Sequence, residues 1–208
     1  MHLPRVIGFD FDQTLADSAI GIQDCLLYTG QSFGIKVDID SASKIARSGL
    51  KLEPMLRNLI PENLLSQARR TFLSIYPEIG VAGTRPMEGA SDLLQMLRNN
   101  GHRLAVISAK SLRNLELSLK HLHFDFDEVY GDASGQEKTE CILKSKAQFY
   151  IGDQEGDVIA ARNAGVMAIL VNNDPPTFEL NEYEFHYFEN LPILAKSFNK
   201  LIELQSTR

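Results

Sequence analysis

Apolar and polar positions alternate in two different rhythms along this chain. Val6-Ile7-Gly8-Phe9 is a short apolar run with polar neighbours, the pattern of a strand covered on both faces of a parallel sheet. The rhythm is then helical: it predicts helices over 18–33 ending near Gly34, over 41–48 ending at Gly49, over Leu52–Ile60 and over Asn63–Tyr76. In the last of these, Leu65, Ala68, Phe72, Ile75 and Tyr76 repeat at i, i+3, i+4 spacing, a stripe that reads as helix packing. From Pro86 helix and strand alternate. Helices are expected at Ser91–Asn99, Leu112–Leu122, Thr139–Lys146 and Val158–Ala164, with strands at Leu104–Ile107, Glu128–Tyr130, Gln148–Ile151 and Ala168–Val171. Such alternation builds a parallel α/β sheet with right-handed crossovers. The first strand belongs to that sheet, so residues 16–85 form a helical insertion placed just after it.

Composition narrows the function classes. With 208 residues, 44% hydrophobic and 23% charged, the chain can build one full core and a small appended unit. A formal charge of -6 with no Lys/Arg block argues against a nucleic-acid or anionic-membrane surface, so an anionic substrate must be drawn by a local site. Cys25 and Cys141 show no CxxC spacing, the usage of two reduced cysteines in a cytosolic protein. Met1 to Arg5 lead straight into the first strand, leaving no room for a signal peptide, and no apolar stretch approaches the roughly 20 residues of a membrane span. The expected location is cytoplasmic, as a monomer or homodimer.

The first strand delivers chemistry where it ends. Asp10, Asp12 and Thr14 follow at i, i+2, i+4, and ligands of open parallel sheets bind beyond the carboxyl ends of the strands. Two carboxylates in one small volume require a shared proton or a cation. One can serve as nucleophile and the other as general acid and base; a plain Asp-rich loop capping the next helix through Asp17 or Ser18 is the alternative. The strand at Leu104–Ile107 ends on Ser108, which with the N–H groups from Ala109 onward can cradle an oxyanion or phosphate. Phe149-Tyr150-Ile151-Gly152 delivers Asp153 and Asp157, and an oxygen-only ligand set of this kind favours Mg²⁺. Gly135-Gln136-Glu137-Lys138-Thr139 presents Lys138 at a helix start, where it can neutralise both a nucleophile and a phosphate.

Taken in order, DxDxT, a strand-terminal Ser, a Lys and GDxxxD resemble the haloacid dehalogenase (HAD) superfamily over the whole chain. The resemblance implies a Rossmann-like three-layer parallel sheet core, residues 1–15 and 86–208, with a small all-helical cap at 16–85 inserted after the first strand. Pro86-Met87-Glu88-Gly89 and the helix after it are similar to phosphoglycolate-phosphatase-like members. The implied activity is Mg²⁺-dependent hydrolysis of a small phosphorylated metabolite. Asp10 would be the nucleophile, Asp12 the acid and base, Ser108 the phosphoryl holder and Lys138 the charge screen. Thr14 would fix the loop and bond Asp12. Mg²⁺ would take Asp10, the backbone carbonyl of Asp12 and Asp153, with Asp157 in support. Gln13 stands where such phosphatases commonly carry Gly and would meet the substrate or narrow the pocket. Lys144 and Lys146 compete with Lys138, since the usual Lys-Pro pair is absent. Arg47, Gly49 and Lys51 lie in the turn that closes over the site in similar caps, with Arg47 and Lys51 as candidate substrate contacts. A phosphomutase of the same fold and a silent binding protein are the rival readings.

Overall fold

The computed structural model describes residues 4–174, 176 and 185–206, with backbone alone for 204–206. Its elements run β1 (Val6–Phe9), β2 (Ala16–Asp17), α1 (Ala19–Ser32), α2 (Ile39–Ala46), α3 (Leu52–Arg57), a 3-10 turn at Glu62–Leu64, α4 (Leu65–Ile75), α5 (Ile79–Ala82) and β3 (Arg85–Pro86). There follow α6 (Ala90–Asn99), β4 (Arg103–Ile107), α7 (Leu112–Leu122), β5 (Glu128–Tyr130), α8 (Gln136–Ser145), β6 (Phe149–Gly152), α9 (Glu155–Asn163), β7 (Met167–Val171), β8 (Phe185–Phe188) and α10 (Leu191–Ser206).

Six strands form one parallel sheet in the order β5-β4-β1-β6-β7-β8. Strand alternation sends Ile7, Phe9, Leu104, Val106, Phe149 and Ile151 to one face, where they pack on Leu93 and Leu97 of α6, Leu115 of α7 and Phe198 of α10. Ile107, Tyr150, Ala168 and Leu170 meet Ile142 of α8 and Val158 of α9 on the other face. This is the expected three-layer α/β core, with β1 at its centre and the ends of β1, β4 and β6 side by side. The strand β8 and helix α10 extend it beyond the elements expected from the periodicity. Leu191, Leu194, Phe198, Leu201 and Ile202 of α10 join the same buried cluster.

Helices α1 to α5 have their own apolar cluster, built on Leu26, Leu56, Ala68, Phe72 and Tyr76. The stripe on α4 does pack as expected, although its first turn is 3-10 rather than α. Helix α2 begins two residues before the expected start because Asp38 caps it, accepting from the Ser41 N–H at 2.8 Å. Helix α8 begins three residues early, so Lys138 stands in its first turn. The chain enters and leaves this helical segment through a two-stranded antiparallel ladder, Ala16 opposite Pro86 and Asp17 opposite Arg85. None of the described helices is long and apolar enough to cross a membrane.

Candidate active site

Asp10 leaves β1 with its N–H still donating to the Ile151 carbonyl at 2.8 Å, so the sheet ladder fixes where its side chain starts. The next residues turn back tightly: Leu15 and Ala16 both donate to the Phe11 carbonyl. Gln13 sits in that turn at φ +63°, the left-handed region. Glycine would hold this conformation without steric cost, whereas an L side chain strains it. The Gln13 amide donates to Asp17 at 3.4 Å, and its side chain also lines the cavity above the sheet.

Three carboxylates meet at the strand ends. Ligand oxygens of Asp10, Asp153 and Asp157 lie within 4.8 Å of one another, all buried. The Lys138 ammonium stands among them, 3.2 Å from Asp10 and 2.6 Å from Asp157. Burial pushes Asp10 up to about 7, opposed by Lys138 and reinforced by Asp157 and Asp12. Burial likewise pushes Asp153 up to about 8, with Asp10 and Asp157 adding to it. Burial disfavours the Lys138 charge, but Asp10, Tyr150 and Asp157 more than offset it and hold the ammonium well above its usual range. Lys144 and Lys146 are exposed, so among the three lysines Lys138 alone reaches Asp10.

Asp157 is already occupied. One of its oxygens takes Lys138 and the other takes the N–H groups of Asp153 and Gln154, at 3.2 and 3.1 Å. Its proximity to Asp10 and Asp153 would permit metal contact, yet these bonds use both oxygens to hold Lys138 and the β6–α9 turn. Gly152 permits the arrangement, because a Cβ there would stand 2.3 Å from the Asp157 carboxyl carbon.

Thr14 departs from expectation. Its hydroxyl donates to Asp153 at 2.9 Å rather than to Asp12. The Asp12 carboxylate turns elsewhere, accepting from the Ser18 hydroxyl and lying 3.2 Å from the Lys110 ammonium. Ser108 is buried, its Oγ accepting from the Lys110 N–H at 3.2 Å, and both Ser108 and Ala109 line the cavity.

That cavity, about 340 Å³, lies between the strand ends and the helical segment. Asp10, Asp12 and Lys138 line it from the core; Lys51, Arg69, Met55, Phe72 and Tyr76 line it from the helices. Arg47 does not belong to it. As the C-cap of α2 it pairs with Asp17 of the β2–β3 ladder at 3.8 Å and is not among the residues lining the cavity. Gly49 is placed against the core, since a Cβ there would stand 2.1 Å from the Gln154 amide. The sequence reading assigns no role to Lys110, Arg69 or Asn114, which also line the cavity. Lys110 was the readable one, standing two residues past Ser108 on the loop already marked as an anion cradle.

Known proteins resemble this chain in sequence and fold. The chain is similar to phosphoglycolate phosphatase of Aquifex aeolicus, 29% identical over 200 residues that cover 85% of this chain and 92% of that one. It is 28% identical over 182 residues to tyrosine-protein kinase PtkA of Mycobacterium tuberculosis, covering 81% of this chain and 62% of that protein. Among solved structures it resembles a predicted phosphatase from Clostridium acetobutylicum, with a TM-score of 0.76, 25% identity and coverage of 95% and 99% of the two chains. The profile of haloacid dehalogenase-like hydrolases matches residues 7–171. With most of its length matched and each of the four motifs at a strand end or helix start of the parallel sheet, the chain belongs to the haloacid dehalogenase-like hydrolases.

Proposed function

We propose that this phosphatase is a Mg²⁺-dependent phosphomonoester hydrolase, acting on a small phosphorylated metabolite through an aspartyl-phosphate on Asp10. The observation that carries the reading is the buried Asp10 carboxylate at a cavity floor, held 3.2 Å from the Lys138 ammonium and beside Asp153. An Asp10 oxygen attacks phosphorus in line, and the ester oxygen departs with a proton from Asp12. Asp12 then takes a proton from water, whose oxygen attacks the phosphorus of the aspartyl-phosphate, releasing inorganic phosphate and restoring Asp10. Ser108 and the Ala109 N–H hold the phosphoryl oxygens, and Lys138 offsets their charge against Asp10. Ser18 and Lys110 fix the direction of the Asp12 carboxylate between the two proton transfers.

The carboxylates fit a hard divalent cation. They offer oxygen alone, they are buried, and without a cation burial and mutual repulsion raise Asp10 and Asp153 toward neutrality. Asp10, Asp153 and the Asp12 backbone carbonyl would hold Mg²⁺, with Asp157 behind them. Bound there, the ion supplies positive charge that lets two anions approach. Thr14 orients the Asp153 ligand through its hydrogen bond. Residues 16–85 act as a cap that covers the cavity and contributes to substrate choice, because these helices line the cavity opposite the strand ends.

Phosphate release from phosphoglycolate, sugar phosphates and nucleotides, measured with and without Mg²⁺, tests the reading. Turnover of at least one ester that collapses in chelator is expected. Turnover undiminished by chelator, or conversion of a sugar 1-phosphate to its 6-phosphate without phosphate release, would overturn it.

A further inference from the structure

Among the described residues that line the cavity, one buried polar side chain is not used by the proposed chemistry. Asn114 lies in the first turn of α7, is only 5% exposed, and lines the cavity. Among the described residues no donor or acceptor pairs with its side-chain amide, and the amide is not sealed off but open to the cavity. An amide brings two donors and two acceptor lone pairs, and a ligand that displaces water from them without bonding them leaves a costly deficit. A residue kept in that condition, facing a cavity, is placed to bond whatever enters.

Its surroundings limit what that is. Opposite the core, the cap presents Ile22, Leu52, Met55, Phe72 and Leu73 to the same space. The cavity of about 340 Å³ has the volume of roughly eleven liquid waters, more than a phosphoryl group fills. The remainder has apolar side chains together with Lys51 and Arg69 on its helical wall and the Asn114 amide on its core side. An organic body with an apolar face and at least one hydrogen-bonding oxygen satisfies both walls.

We propose that Asn114 determines specificity: its amide bonds an oxygen of the leaving group. It thereby selects phosphomonoesters that carry a hydroxyl, carbonyl or carboxylate oxygen over alkyl or aryl esters that carry none. The inference rests on the phosphatase reading above and adds the substrate class. It follows from the asymmetry of polar recognition, because a site built to hydrogen-bond discriminates strongly against a ligand that leaves its group unpaired.

The test compares wild type with Asn114→Leu, close in size and without polar atoms, on two sets of esters. Phenyl phosphate and n-butyl phosphate form one set; phosphoglycolate, glycerol 3-phosphate and glucose 6-phosphate form the other. Wild type should prefer at least one oxygen-bearing ester, and Asn114→Leu should cut kcat/KM on that ester at least about tenfold more than on phenyl phosphate. Asn114→Ala, which leaves room for a bridging water, should fall between the two. The Asn114→Leu melting temperature should stay within about 5 °C of wild type, since the amide has no hydrogen bond to lose among the described residues. An equal effect on every ester, or a fall in Tm of more than about 5 °C, assigns the amide a structural role and overturns the proposal. Wild type inactive on every ester would instead overturn the phosphatase reading on which it rests.

Discussion

The Lys110 ammonium lies 2.5 Å from the Tyr76 hydroxyl and 3.2 Å from an Asp12 oxygen, and 4.6 Å from the centroid of the Tyr76 ring. One buried cation thus ties the end of α4 to the loop after β4 and to the carboxylate proposed as acid and base. Tyr76→Phe keeps the ring beneath the ammonium and removes the oxygen. A hydrogen bond to a charged group contributes about 1.5–3 kcal/mol, so Tm should fall by roughly 3–10 °C in a protein of this size. Lys110→Met leaves Asp12 without its cation and should lower kcat by more than about tenfold. Calorimetry with steady-state kinetics on both variants checks this; a Tyr76→Phe protein as stable as wild type would show that the contact contributes nothing.

Asp10 and Asp153 make stability depend on pH in an unusual direction. Burial raises them to about 7 and about 8, so between about pH 4 and those values the unfolded chain releases protons that the folded protein keeps. Their contribution is fully present below the unfolded value and lost as pH rises through the folded values. In chelator, Tm should therefore decline from about pH 5 to about pH 8. Mg²⁺ should flatten that decline, because it takes the place of the retained protons. Asp10→Asn should reduce the slope and hold or raise Tm above pH 7, since the amide relieves repulsion within the cluster. Scanning calorimetry across that range decides it, and a flat Tm in chelator that Mg²⁺ leaves unchanged would contradict the assignment.

Gln13 carries a backbone cost at φ +63°. Gln13→Gly and Gln13→Ala both lose the amide contact with Asp17, but only glycine relieves the left-handed conformation. The glycine variant should be more stable than the alanine variant by about 1 kcal/mol, read by urea denaturation. Equal stabilities would mean that the turn has relaxed.

The sheet and the polar residues at its strand ends were legible for a physical reason. A strand buried on both faces must be an apolar run, as at Val6–Phe9 and Phe149–Gly152, and whatever polar residue ends it is delivered to the crevice. Asp10, Ser108 and Asp153 were therefore readable, Lys138 was readable from its place at a helix start after a turn, and so was the helical segment between β1 and β4. Orientation was not. Thr14 bonds Asp153 and Asp12 bonds Ser18 because the turn at Gln13 sends alternate side chains apart, which no spacing rule states. Arg47 and Lys51 looked equivalent as two cations in one turn; the Asp17 partner that separates them is distant in sequence. Asn114 reads as an ordinary polar position in an amphipathic helix, and its place in the wall of a cavity shared with helices distant in sequence is set by tertiary packing. By contrast, α10 had a helical apolar repeat open to reading, at Leu191, Leu194, Phe198 and Leu201.

That separation of Arg47 from Lys51 has a kinetic consequence. Lys51 lines the cavity while Arg47 pairs with Asp17 outside it. Lys51→Ala should change the ranking of kcat/KM among phosphorylated metabolites by about threefold or more, as expected for one charged contact worth somewhat under 1 kcal/mol. Arg47→Ala should leave that ranking in place and cost at most a few degrees in Tm. A ranking that shifts with Arg47 and not with Lys51 would show that the turn rearranges around substrate.

The central claim is that Asp10 takes the phosphoryl group before water does. The stereochemical course at phosphorus reads this directly, using a phosphorothioate ester made chiral with oxygen isotopes and hydrolysed in isotopically labelled water. Two successive in-line displacements, first by the Asp10 carboxylate and then by water, predict net retention, with Asp10→Asn inactive under the same conditions. Net inversion would mean that water attacks the substrate in a single step, and it would contradict the account.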